Sequence, residues 1–163
     1  MPRRDLQQLS DDAYVWIFGI SPALDANGAV KLLHGVNGFL EKWASHGQPI
    51  ESASDLIEGT FLVVAAENTS ERSGCSIDRM FGTLRELERD LNVRILDSDR
   101  VFFRHGDGRV DAMTRAEFRD KGDAHTIVFD ITVETLRDIR YDSWEKRAEA
   151  SWHRELLKRP AAV

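Results

Sequence analysis

The strongest constraint on the fold is a run at residues 60–66, Thr-Phe-Leu-Val-Val-Ala-Ala, that is apolar at both odd and even positions. A half-exposed strand alternates apolar and polar residues. A short run without alternation is typical of a strand that is covered on both faces. We therefore expect this strand at the centre of a sheet covered on both sides, or at a subunit contact.

A strand and a helix are predicted before this run. Residues 14–20 are aromatic and β-branched and end at Ser21-Pro22, which predicts the first strand. Asp25 or Asn27 can cap the following helix, and Gly47 is placed as its C-terminal glycine with His46 in its last turn. The apolar stripe of this helix comprises Ala29, Leu32, Leu33, Val36, Phe39, Leu40 and Trp43.

The second predicted helix covers residues 77–91, with Ser76 as its N-cap and Asp78 in its first turn. A weaker strand is predicted at residues 49–55. The remaining predicted elements are strands at 93–96, 101–104 and 109–113, a short helix that begins in a capping box at Thr114 and ends near Gly122, a strand at 125–130, and a helical tail from about residue 133.

The order of these elements indicates an α+β fold. Strand, helix, two strands, helix and strand is the ferredoxin-like βαββαβ order, extended here by a β-hairpin, a further strand and a C-terminal helix. We expect residues 1–163 to form a single domain. If residues 49–55 were a loop, a three-layer α/β sheet would be the better interpretation.

Composition limits the classes of function. The 22 basic and 28 acidic side chains give a net charge of −6, which disfavours non-specific binding to nucleic acid. One cysteine excludes an internal disulfide. The N-terminus shows no secretory pattern and the longest apolar run is too short to span a bilayer, so we expect a cytoplasmic protein that is not held in a membrane.

The segment Ser73-Gly74-Cys75-Ser76 contains the only thiol and opens the second helix. A helix N-terminus favours the thiolate, and neighbouring backbone N–H groups could hold a developing negative charge. His46 and His153 are candidate bases for such chemistry. The commoner role of a free cysteine is that of a small buried hydrophobic residue, so both interpretations stay open.

Ligand-binding candidates lie around the same thiol. They are Ser73, Gly74, Ser76 and Asp78. Trp152 joins them if the tail folds back over this loop, which would also bring His153 to it. The simpler role of Trp144 and Trp152 is to fix the tail to the domain. The histidines lack the spacing of a zinc motif, so no metal site and no cofactor are expected.

Four stretches carry a resemblance to a small family of uncharacterised bacterial proteins of similar length: residues 43–49, 73–78, 126–130 and 151–153. Members are often labelled automatically as ABC transporter ATPases. The chain has no G-x-x-x-x-G-K-S/T loop to hold ATP phosphates. The resemblance implies a bacterial cytoplasmic protein and supplies no activity or functional residues.

Two hypotheses for the function follow. The first is a non-catalytic module that binds a small molecule or a partner protein and forms a homodimer through exposed sheet surface. The alternative is a thiol-dependent hydrolase or transferase in which Cys75 attacks and His46 or His153 serves as base. We favour the binding module, because fold and composition supply no complete catalytic set.

Overall fold

Two antiparallel sheets, packed face to face, form the centre of the molecule. The computed structural model describes residues 3–68 and 72–158. Helices cover the outer face of each sheet, so the layers run helix, sheet, sheet, helix. The α+β class is as predicted, and the three-layer alternative is wrong because the named strands pair only antiparallel and form two stacked sheets.

The first sheet has the strand order β1-β5-β4. These strands are β1 (Tyr14–Gly19), β4 (Ser52–Ile57) and β5 (Phe61–Ala66). All six residues of β5 are buried. Its odd-numbered side chains face the second sheet and its even-numbered side chains face the helices. The prediction of a central strand covered on both faces is therefore confirmed.

Two long helices cover the outer face of this sheet. Helix α1 (Ala26–Leu40) begins at Asp25, whose side chain accepts a hydrogen bond from the backbone N–H of Gly28 at 2.7 Å. Helix α2 (Gly74–Leu91) packs beside α1. Both helices bury the apolar stripes that the sequence predicts, and the buried members are Leu32, Val36, Leu40, Met80 and Leu84.

The second sheet has the order β7-β6-β8-β9. Its strands are β6 (Arg100–Arg104), β7 (Val110–Thr114), β8 (Ile127–Phe129) and β9 (Glu145–Arg147). The β6–β7 pair is the predicted hairpin. Between β7 and β8, helix α3 (Arg115–Lys121) starts at the predicted capping box of Thr114 and Glu117 and covers the outer face of the sheet.

Aromatic side chains fill the space between the two sheets. The ring of Phe61 on β5 lies 5.3 Å from the ring of Phe102, 4.7 Å from that of Phe129 and 4.9 Å from that of Trp144, measured between centroids. Phe61 is completely buried. This cluster is the main apolar contact that holds the sheets together.

The turn that contains His46 differs from the prediction. Helix α1 ends at Leu40, and His46 and Gly47 form the two-residue turn of a small hairpin, β2 (Ala44–Ser45) with β3 (Gln48–Pro49). Both turn residues have positive φ, 52° and 77°, as the tightest hairpin turns require. A glycine at such a position also suits the end of a helix, which explains the error.

Helix α2 starts earlier than predicted. Ser73, not Ser76, is the N-cap, and its side chain accepts a hydrogen bond from the backbone N–H of Ser76 at 3.1 Å. Asp78 therefore lies beyond the first turn and does not act at the helix N-terminus. A serine at either position suits an N-cap, so the sequence pattern alone could not choose between them.

The predicted helical tail is also wrong. From residue 133 the chain forms a short helix, α4 (Leu136–Arg140), then β9, and then 3₁₀ turns at Ala148–Ala150 and Trp152–Leu156. Pairing with β8 and burial of Trp144 between the sheets outweigh the helix-favouring composition, as tertiary packing often does.

The strand predicted at residues 93–96 is reduced to a single bridge. Arg94 and Ser21 exchange two backbone hydrogen bonds, of 3.0 and 2.8 Å, just beyond the end of β1. The chain then leaves β1 and crosses to the second sheet. Among residues 3–68 and 72–158, the first sheet therefore stops at β1 and does not gain a fourth strand.

In the described ranges, no helix is long and apolar enough to cross a bilayer. In those same ranges, no three His, Cys, Asp or Glu side chains come together in a group that could hold a metal ion.

Candidate functional site

Cys75 is the second residue of α2 and its side chain is exposed. The interpretation of this thiol as a small buried hydrophobic residue is therefore wrong. Gly74 is also exposed, and a Cβ built there would meet no atom of the described residues within 4 Å. No close contact therefore explains the glycine, and Asp78 is an exposed side chain on the same helix.

The start of α2 is held on a group of aromatic side chains. The indole N–H of Trp43 donates to the backbone oxygen of Ser76 at 2.9 Å, and Trp43 packs edge-on against Trp16 at 5.8 Å. The guanidinium of Arg72 lies over the ring of Tyr14 at 4.8 Å. These contacts fix the position of the first turn of α2.

Two of the predicted ligand-binding residues serve the helix itself. Ser76 is fully buried and its hydroxyl donates to the backbone oxygen of Ser73 at 2.7 Å. The Ser73 hydroxyl in turn caps the helix. The Ser76 hydroxyl is therefore already engaged, whereas the Ser73 hydroxyl accepts one bond and keeps its own proton to donate.

The two candidate bases lie in different parts of the molecule. β2, which precedes His46, packs against α2, so His46 and Cys75 are at the same end of the first sheet. His153 lies in the outer layer beyond the second sheet, beside Phe118 of α3. Both sheets separate His153 from α2, so it cannot be the base for Cys75 and that prediction is wrong.

His153 has instead a buried, structural environment. Only 2% of its surface is exposed. A hydrogen bond of 2.7 Å joins its Nδ1 to the Ser151 hydroxyl, and the Trp152 ring stacks on it at 4.0 Å. Burial lowers the pKa of His153 to about 4. Trp152 thus helps to fix the tail to the domain, and it does not join the ligand-binding candidates on α2.

The outer edge of β1 is a site that the sequence did not reveal. Ile20 donates its N–H to Thr60 next to β5, whereas Val15 donates to Glu134 and Ser21 to Arg94 on the other side. Since backbone groups alternate along a strand, the N–H and C=O groups of Ile17 and Gly19 also point away from β5. Within residues 3–68 and 72–158, no group forms a hydrogen bond with them.

A carboxylate on α2 explains why this edge stays open. After the bridge at Arg94, the backbone N–H groups of Ile95 and Leu96 donate to Oε2 of Glu88 at 2.7 and 2.9 Å. In a fourth strand that continued the antiparallel bridge of Arg94 with Ser21, the N–H of Leu96 would point at Gly19 and that of Ile95 away from β1. Because Glu88 satisfies them, the segment turns towards α2 and leaves β1 unpaired at Ile17 and Gly19.

The open edge forms the floor of a cleft of about 440 Å³, called here the β1-edge cleft. Its walls come from α2, from the segment after Arg94 and from the segment after β8. The lining residues are Ile17, Phe18, Gly19, Phe81, Arg85, Ile95, Leu96, Asp97, Ser98 and Ile131. Most of these side chains are apolar, with an arginine and an aspartate among the polar ones.

Comparisons of the chain with protein-family models, with curated proteins and with solved structures gave no match. The resemblance described for residues 43–49, 73–78, 126–130 and 151–153 therefore stays a prediction.

A larger cleft, of about 600 Å³, lies between the β6–β7 turn and the loop that follows α3. Its polar side chains are already engaged. His105 pairs with Asp111 at 3.0 Å, and the guanidinium of Arg104 binds Glu58 and Glu145. A ligand there would have to displace these contacts, so the unpaired backbone of β1 makes the β1-edge cleft the stronger candidate.

Proposed function

We propose that this protein is a non-catalytic binding module that holds a short extended segment of a partner protein along the outer edge of β1. The observation that carries the proposal is the unpaired backbone of Ile17 and Gly19. Ile17 is only 6% exposed and Gly19 is buried. Their outward backbone groups face the β1-edge cleft and have no partner among the described residues, and since such groups are nearly always paired, with protein or with water, an occupant with complementary groups would replace water along this edge.

An extended peptide is the ligand class that fits such an edge. Strand addition gives affinity through main-chain hydrogen bonds and specificity through alternate side chains. A segment antiparallel to β1 would exchange two hydrogen bonds with Ile17 and two with Gly19. A small molecule would need two pairs of hydrogen-bonding groups, separated by the distance between alternate residues of a strand.

The neighbouring bridges limit the length of the bound segment. Glu134 occupies the edge opposite Val15, and Arg94 occupies it opposite Ser21. The space between them suits about three extended residues at ~3.4 Å each. The partner therefore enters and leaves the cleft within a few residues. The same bridges obstruct pairing of β1 with β1 of a second copy, which would need a longer free edge.

The thiol-dependent hydrolase or transferase is the second candidate function. The exposure of Cys75 supports it, because a nucleophile must be accessible. Of its two proposed bases, only His46 lies at the same end of the molecule. The backbone N–H groups of Ser76 and Ile77, two of those that would hold the negative charge, already donate to Ser73 at 3.1 Å, so the enzyme ranks below the binding module.

Two finer assignments accompany the proposal. We propose that residues 14–91 have a ferredoxin-like arrangement whose fourth strand is missing. The order β1-β5-β4 with both helices on one face supports this. We also propose a cytoplasmic location, and the support is the single cysteine, which fits a reducing compartment.

Selection from a random decapeptide library displayed on phage tests the binding function. We expect the intact protein to enrich peptides rich in β-branched residues that bind one to one. Ser98 is exposed at the rim of the cleft, so Ser98→Trp should fill the cleft without disturbing the core. Synthetic versions of the enriched peptides should lose at least tenfold in affinity for this variant by isothermal titration calorimetry.

Ser98→Ala is the matched control and should bind the peptides as the unmodified protein does. Circular dichroism must show that both variants are folded. The proposal is wrong if no peptide is enriched, or if Ser98→Trp binds as tightly as Ser98→Ala. Dimerisation of the free protein that Ser98→Trp abolishes would also contradict it, since the occupant would then be a second copy of this chain.

A further inference from the structure

Arg85 stands at the mouth of the β1-edge cleft. It lies one helical turn after Phe81, whose ring packs edge-on against Phe18 of β1 at 5.8 Å. Residues four apart share a face of a helix, so Arg85 lies above the same side of β1 as Phe18. The side chain is exposed, and no carboxylate in the described ranges pairs with it.

The acidic group on the other wall is already neutralised. Asp97 forms ion pairs with Arg94 and Arg100, each at 3.3 Å. The backbone N–H of Asp99 also donates to it at 2.9 Å, and this bond together with the two arginines lowers the pKa of Asp97. The uncompensated charge at the cleft is therefore the positive charge of Arg85.

The geometry of an added strand decides which ligand residue meets this charge. Residues opposite Ile17 and Gly19 would form the hydrogen-bonded pairs, with side chains on the face that points to the second sheet. The residue between them, opposite Phe18, would turn its side chain to the helix face. There it would lie between Phe81 and Arg85.

We propose that the β1-edge cleft selects an extended segment whose central residue is acidic, with apolar residues on either side. This inference rests on the proposed binding function and specifies the chemistry of its partner. Glutamate suits the central position better than aspartate, because the exposed guanidinium of Arg85 lies on the helix and not on the strand, and a longer side chain reaches it more easily. Bidentate pairing of a carboxylate with arginine adds directional selectivity.

Three capped heptapeptides test the inference, Gly-Ser-Val-X-Val-Ser-Gly with Glu, Gln or Lys at X. Each is titrated into the ¹⁵N-labelled protein to millimolar concentration while the amide resonances of Ile17 and Gly19 are followed. We expect the Glu peptide to bind about two- to fivefold more tightly than the Lys peptide, the range for an exposed ion pair. Arg85→Glu should reverse the order.

Arg89→Glu is the matched control, since it makes the same change of charge at another exposed position on α2. It should leave the preference for the Glu peptide in place. Two results would overturn the acidic preference and leave the binding function standing. One is equal binding of the three peptides, and the other is that Arg89→Glu loses the preference for the Glu peptide as Arg85→Glu does. If no peptide shifts the Ile17 and Gly19 resonances, the proposed binding function fails as well.

Discussion

Replacing Phe61 with alanine is expected to lower the free energy of unfolding by about 3–5 kcal/mol, the usual cost of truncating a buried phenylalanine. Phe61 is completely buried and its ring contacts three aromatic rings of the second sheet and the segment before β9. Truncation would leave a cavity between the two sheets, where neighbouring rings on fixed strands cannot easily close the space. Urea denaturation followed by fluorescence measures the loss.

Phe39→Ala is the control for this prediction. Phe39 is half-buried on α1, where its ring packs against Trp43. Its truncation should cost less than half as much, because solvent already reaches part of the side chain. A loss below about 1 kcal/mol for Phe61→Ala, within the range of surface substitutions, would contradict the packing of the two sheets.

Acid is expected to destabilise the protein through His153 well before most carboxylates titrate. Burial lowers the pKa of this imidazole to about 4 in the folded protein, against 6.5 in an unfolded chain. Between these pH values the unfolded state binds the extra proton, so the free energy of unfolding falls as pH falls from about 6.5 to 4. The full difference corresponds to about 3 kcal/mol.

The groups around His153 support this direction. Asp130 favours the charged imidazole, but it is already paired with Lys146 at 3.7 Å. Lys146 and Arg115 both disfavour the charged form. Desolvation therefore decides the direction of the pKa shift. The stabilisation by the neutral imidazole is complete above pH 6.5 and is lost as the pH falls towards 4.

Comparison of His153→Gln with His34→Gln isolates this effect, since His34 is exposed on α1. Urea denaturation at several pH values should show that His153→Gln loses much of the dependence between pH 6.5 and 4. His34→Gln should keep it. Equal slopes in the two variants over that range would show that His153 is not buried as a neutral group.

The elements with strong apolar patterns could be predicted from the sequence. The unbroken run in β5, the stripes of α1 and α2, the β6–β7 hairpin and the capping box at Thr114 all specify local structure through burial or through short-range hydrogen bonds. In each of these elements the local preference and the tertiary packing agree.

The errors fall where one local pattern suits two structures. Gly47 could end a helix or form a hairpin turn, and Ser73 and Ser76 could each cap α2. The tail has helix-favouring composition, but pairing of β9 with β8 and burial of Trp144 make part of it a strand. Such choices depend on contacts between residues far apart in the chain, which a single sequence does not show.

The candidate site could not be predicted for the same reason. It consists of unpaired backbone groups at Ile17 and Gly19, and they are unpaired because Glu88 binds the segment that would otherwise continue the sheet. Glu88 looks like one of many exposed charges on α2. Only the structure shows that its carboxylate accepts from two backbone N–H groups after Arg94.

Amide hydrogen exchange along β1, measured by NMR, tests the central claim most directly. In the free protein the amides of Trp16, Phe18 and Ile20, which point towards β5, should be protected, and those of Ile17 and Gly19 should exchange much faster. A peptide selected on the protein should then slow Ile17 and Gly19 and leave the other three nearly unchanged. Equal protection of all five amides in the free protein would mean that the edge is already paired, and the proposed binding function would be wrong.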